Sequence, residues 1–172
     1  MKSLGRLFQL FLLAVLFPAA HFPATYASPR ATPVALPDRD PWDPAETISP
    51  ADFAKELQAK PDPSLKIIHV GVRTLFSGGH IPGSVFAGPG STVEGIAALK
   101  KYAATLPKNS SLVVYCGCCP LDRCPNLRPA FLALRQMGFT HLRVLLLPTS
   151  FAADWVEKGY PIEKGASKAG QM

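Results

Sequence analysis

Val113-Val114-Tyr115-Cys116-Gly117-Cys118-Cys119-Pro120-Leu121-Asp122-Arg123-Cys124-Pro125 joins an apolar run to a cysteine-rich loop, and the stretch from Asn126 to Met137 follows with helical spacing. Ser111 to Tyr115 reads as a buried strand, because it is short and apolar after its first residue. All four cysteines of the 172-residue chain fall in this loop. A cysteine that ends a strand and precedes a helix meets loop N–H groups and the positive end of the helix dipole. Both favour thiolate over thiol. Sulfur chemistry is therefore expected here, with Cys116 as its centre.

The same alternation continues on either side. Ser49-Pro50-Ala51-Asp52 has the make-up of a helix start, with serine as cap, proline in the first turn and an acid on the dipole. That helix is expected to run to about Gln58. Lys66 to Val70 and Ser84 to Ala87 read as strands, Thr92 to Leu106 as a helix, and Asn126 to Met137 as a helix stopped by Gly138. His141 to Leu147 is a further strand, and Ser150 to Lys158 a last helix. Short apolar strands alternating with amphipathic helices predict an α/β fold, a central parallel sheet flanked by helices on both faces. Ligands of such sheets bind beyond the carboxyl ends of the strands, where Cys116 falls.

The motifs and their order resemble the rhodanese-like (sulfurtransferase) family over roughly Thr47 to Ile162. Ile48-Ser49-Pro50-Ala51-Asp52-Phe53 is similar to the family's opening helix. Ile68-His69-Val70-Gly71-Val72-Arg73 resembles its IDVR strand, and Gly79-His80-Ile81-Pro82-Gly83-Ser84 its GHIPGA signature. Val113 to Cys116 resembles the strand that delivers its active cysteine. Leu134 to Phe139, followed by Leu142 to Leu145, resembles its closing segment. Three features depart from the pattern. Gly71 stands where the family usually has aspartate, Pro148-Thr149 replaces a Gly-Gly pair, and six residues separate Cys116 from Arg123.

The resemblance implies a sulfurtransferase in which Cys116 becomes a persulfide and hands its outer sulfur to a thiol or cyanide. Loop N–H groups over Gly117, Cys118 and Cys119 would hold the sulfur anion as a nest does. Arg123 and Arg128 would attract an anionic donor, or else serve as surface charges or as partners of Asp122. Cys118, Cys119 and Cys124 have three readings: relay thiols for Cys116, soft-metal ligands together with Cys116, or a local disulfide that stiffens the loop. His80 is expected to shape its turn, His69 to be structural or partly exposed, Arg73 to hold an ion pair, and Phe151 and Trp155 to pack in the core. No cofactor is called for. The competing classes are a non-catalytic binding or regulatory module, soft-metal capture, and thiol–disulfide exchange.

The ends bear on location. Lys2 and Arg6 precede an almost wholly apolar Leu7 to Phe17, and small residues follow at Ala19-Ala20, Ala24 and Ala27. Residues 1–27 thus read as an export signal, too short to span a bilayer. The expected location is a periplasm or the cell exterior, with no stable membrane insertion after cleavage. Residues 28–46, with five prolines by Pro44, read as an extended arm whose Trp42 pins its end to the domain. The domain is expected over 47–163, and 164–172 as a loose tail. The chain has 18 basic and 12 acidic residues, and the signal removes two bases and no acid. The remaining excess is mild and not gathered into a run, so nucleic-acid binding has little support. The expected partners are a small sulfur donor and its acceptor; nothing in the sequence names a protein partner.

Overall fold

In the computed structural model, residues 40–59 and 62–165 are described; residues 1–27, expected to be an export signal, most of the expected arm and residues 166–172 lie outside them. Five strands form one parallel sheet: β1 (Thr47–Ile48), β2 (Lys66–His69), β3 (Val85–Phe86), β4 (Leu112–Tyr115) and β5 (Leu142–Leu145), in the order β1-β5-β4-β2-β3. The helices are α1 (Pro50–Gln58), α2 (Arg73–Gly78), α3 (Val93–Ala103) and α4 (Leu127–Gln136). β4 is central, with Val114 registered against Ile68 of β2 and Val144 of β5.

β4 is buried at all four positions, which is why its sequence is continuously apolar and not alternating. Side chains on successive residues point to opposite faces. Val114 joins a core with Leu99, Leu127, Phe131 and Leu134 from α3 and α4. Val113 and Tyr115 join a second core with Phe53 of α1 and Trp155. Ser49 caps α1, its hydroxyl accepting from the Asp52 N–H at 3.1 Å, and Thr92 does the same for α3 through Gly95 at 3.0 Å.

Several expectations need amending. Strand β1 and helix α2 fall in stretches to which the sequence reading assigned no element. The last helix is a π-helical segment, Ala152–Val156, headed by Asp154, whose carboxylate accepts from the Thr149 and Ser150 N–H groups at 2.6 and 2.9 Å. Residues flanking the expected limits also make contacts with the domain, Trp42 as expected among them. Trp42 is buried edge-on against Phe131, 5.4 Å between centroids, and Arg135 donates to the Pro41 carbonyl and to Glu46. At the other end Glu163 pairs backbone to backbone with His80, and the Gly165 N–H donates to the Ser77 carbonyl. Arg73 lies over the Phe86 ring, 4.1 Å from its centroid, and forms no ion pair among the described residues. Its guanidinium finds an aromatic face where an acid was expected.

Candidate active site

Cys116 is the first residue beyond β4, at the carboxyl edge of the sheet. Gly117 then turns the chain with φ at +72°, and a Cβ there would lie 2.5 Å from the Phe151 Cβ. Glycine is required on both counts. The Gly117 carbonyl accepts from the Phe151 N–H at 3.0 Å, which fixes the loop to the π-helical segment. After Cys118 and Cys119, a 3-10 turn over Leu121–Arg123 returns the chain so that Cys124 stands just before α4.

The four thiols are unbridged. Sγ of Cys116 lies 3.1 Å from that of Cys118, which lies 3.3 Å from that of Cys119. The sulfurs of Cys116, Cys118 and Cys124 all fall within 4.8 Å of one another. Crowded thiols cannot all ionise, and the charge settles on one of them. That one is Cys124. Its closeness to the Cys116 thiol and to the backbone N–H groups of Asn126 and Leu127 outweighs burial and lowers its pKa to about 6. Cys116 is correspondingly held protonated, by its closeness to Cys124 and by burial. Cys119 is pushed up to about 12, chiefly by burial.

The raised pKa of Cys116 runs against the resting thiolate expected there. The reason is geometric. The loop is long enough that the last cysteine, Cys124, stands beside the first amides of α4 and Cys116 does not. Asn126 holds the cap position but makes no capping bond. Its Oδ1 accepts from the Ser91 N–H at 3.1 Å, which turns its Nδ2 toward Cys116 and Cys118, 3.4 and 3.5 Å away. Sequence reasoning passed over Asn126, because asparagine before a helix reads as an ordinary cap.

Cys116 is only 2% exposed, and the way to it is a cavity of about 450 Å³. Cys116, Gly117, Cys118 and His69 line its inner end, and Leu75, Phe151, Val156 and Ile162 are among its apolar walls. Phe151, expected in the core, is thus a wall of the cavity, whereas Trp155 is fully buried. His69 is buried, not partly exposed; it packs against Phe76, Phe86 and Tyr115, and its Nδ1 accepts from the Gly71 N–H at 3.3 Å. Burial lowers its pKa to about 4, so it stays neutral near neutral pH. A Cβ at Gly71 would lie 2.9 Å from the His69 ring and 3.0 Å from the Cys116 sulfur. The glycine at this position makes room for both. His80 shapes its turn as expected, its Nδ1 bonded to the Phe76 carbonyl at 2.7 Å and its ring stacked on Phe76.

Neither arginine lines this cavity. Arg123 is largely exposed beside Asp122. Arg128 is buried, paired with Asp40 at 2.6 Å and donating to the Leu121 and Cys124 carbonyls. It braces the loop from behind. Among the described residues, the lining carries one cationic side chain, Lys164. Cys119 and Cys124 instead border a narrow void with Cys116 and Leu147. The three clustered thiols also have the donor type and spacing of a soft-metal site.

No protein-family model matches the chain, and neither does any curated protein. Solved structures do. The rhodanese-like domain of an Anabaena sp. protein, determined by NMR, is 22% identical with a TM-score of 0.51, over 74% of this chain and 85% of that one. A Bacillus halodurans protein is 19% identical with a TM-score of 0.53, over 69% and 76%. A cysteine-persulfide structure of EanB with ergothioneine is 17% identical with a TM-score of 0.51, over 69% of this chain and 28% of that one. These likenesses show that the fold is rhodanese-like.

Proposed function

We propose that this rhodanese-like chain is a sulfurtransferase that carries a sulfane sulfur as a persulfide on Cys116, between a sulfur donor and a thiol or cyanide acceptor. The observation that carries the reading is the clustering of thiols at the cavity, with Cys116 on its wall and the sulfurs of Cys118 and Cys124 within 4.8 Å of it and of each other. As the Cys116 sulfur attacks the outer sulfur of a donor, its proton passes to Cys124. The bond from that sulfur to the rest of the donor breaks, and the leaving group takes the electron pair. The acceptor then attacks the outer sulfur, and Cys116 leaves as thiolate and recovers its proton from Cys124. A nucleophile needs a nearby base, and Cys124, with its sulfur within 4.8 Å and its pKa lowered, serves as one. The Asn126 amide steadies negative charge on the Cys116 sulfur. The persulfide in the EanB structure supports the reading by analogy of fold alone.

The test is intact mass of the reduced protein after incubation with inorganic polysulfide and with thiosulfate. One added sulfur is expected, absent from Cys116→Ser. No added sulfur from any donor, or the same gain in Cys116→Ser, overturns the reading.

The clustering of three thiols within 4.8 Å favours a second reading, capture of copper(I) or zinc. Cys116, Cys118 and Cys124 would hold the ion, with Cys119 adjacent. Metal analysis of protein purified under reducing conditions distinguishes the two, since stoichiometric metal supports capture. On the sequence reading of residues 1–27, either activity operates in a periplasm or outside the cell, which fractionation of cells expressing the full chain checks.

A further inference from the structure

We infer, on the sulfurtransferase reading, that the compound which loads Cys116 is an organic sulfane carrier, a single anionic sulfur group on an apolar body, and not a small inorganic dianion.

The cavity in front of Cys116 is the ground. Its volume of about 450 Å³ far exceeds what a five-atom anion fills, and falls in the range of ~300–1,000 Å³ that holds organic ligands. Five large hydrophobic side chains are exposed among the described residues: Val72, Leu75, Val93, Val156 and Ile162. Three of them, Leu75, Val156 and Ile162, line this one cavity, at 46%, 39% and 39% exposure. Scattered exposed hydrophobics are ordinary, but a group of them at the mouth of a reactive site marks a surface that a ligand covers.

Charge argues the same way. A doubly charged donor must be stripped of water on entry, which is costly unless cations replace it. Arg128 is committed to Asp40 and to backbone carbonyls, and Arg123 faces solvent, so Lys164 is the cation in the described lining. One cation and apolar walls match a monoanion with an apolar body. An organic thiosulfonate, R–SO2–S⁻, has this form. The Cys116 sulfur attacks its terminal sulfur, the S–S bond breaks, and the electron pair leaves with the sulfinate R–SO2⁻. The Cys116 proton moves to Cys124, and the persulfide anion remains on Cys116. Charge and atoms balance without an oxidant or reductant.

The experiment measures persulfide formation on the full reduced chain with thiosulfate, methanethiosulfonate and benzenethiosulfonate. Each rate is divided by that of free cysteine with the same donor, which removes intrinsic reactivity. Benzenethiosulfonate is expected to exceed both others by about tenfold or more, since its ring is buried only in this cavity. Leu75→Asp and Val156→Asp, both at solvent-exposed positions, should each cut that ratio severalfold. Val93→Asp, on a different surface, should leave it intact. Equal normalised rates for the three donors, or a ratio that survives both wall variants, overturns the inference while leaving sulfur transfer standing. Absence of persulfide with every donor overturns both.

Discussion

Asn126 shows how a single side chain can be diverted from a structural duty to a chemical one. Its carbonyl oxygen is committed to Ser91, so its amide has no choice but to face sulfur. A hydrogen bond to a charged group contributes about 1.5–3 kcal/mol, so Asn126→Ala should slow persulfide formation by about tenfold or more while the protein stays folded. Asn126→Asp is nearly isosteric but sets a carboxylate against the thiols. It should raise the pKa of the cluster by about one unit or more, read from thiolate ultraviolet absorbance against pH. The wild-type titration has its own expected form. Cys124 is lowered from 9.0 to about 6, so thiolate appears as pH rises through about 6, and persulfide formation rises with it. His69 loses its proton near 4 and adds no step between pH 5 and 8. Cys124→Ser should abolish the transition near 6; a titration that persists in that variant assigns the thiolate elsewhere. The sequence gathers the four thiols into this loop, as the fold does, but carries no sign that the lowered pKa falls on Cys124. Spacing along the chain gives the distance from strand to helix, not which cysteine the folded loop sets on the helix amides.

At the scale of elements, strands and helices were legible where burial imposes a pattern. β4 is apolar throughout because both of its faces are covered, and α4 repeats at helical spacing because one face packs on the sheet. Elements held mainly by their neighbours were not. β1 is two residues long and exists by pairing with β5, and α2 is a six-residue helix between glycines with no pattern that marked it. The arm was partly legible. Trp42 was expected to anchor it, but no local signal gives the pairing of Asp40 with Arg128 or of Glu46 with Arg135, which are 88 and 89 positions apart. These contacts connect the arm to α4, the helix beside whose first amides Cys124 stands. Trp42→Ala should therefore cost about 3–5 kcal/mol, measured by denaturant unfolding, through the cavity left beside Phe131. A loss below about 1 kcal/mol would mean that the arm is not part of the folded unit.

Over the whole described domain, the sheet puts the ends of β2 and β4 side by side, and everything reactive collects at that edge. His69 comes from β2 and Cys116 from the end of β4, with the π-helical segment on one side and the chain's last described residues across from it. Those last residues run from the end of the expected domain, at Glu163, into the expected tail at Lys164. In the fold they form part of the cavity, because Glu163 exchanges two backbone hydrogen bonds with His80, at 2.9 and 2.8 Å, and Trp155 donates to the Pro161 carbonyl at 2.8 Å. The Glu163 carboxylate also lies 3.8 Å from the buried His80 Nε2, which has no hydrogen-bond partner. The strap thus links the turn after α2 to the cavity wall formed by Ile162. Glu163→Pro removes the N–H given to the His80 carbonyl and leaves that carbonyl unpaired, at a cost of about 1–3 kcal/mol. The expected result is a lower melting temperature, faster amide exchange at His80, and a weaker preference for benzenethiosulfonate over thiosulfate, as Ile162 moves off the wall. If stability falls while the donor preference holds, the strap is a brace for the fold alone and Ile162 does not shape the site.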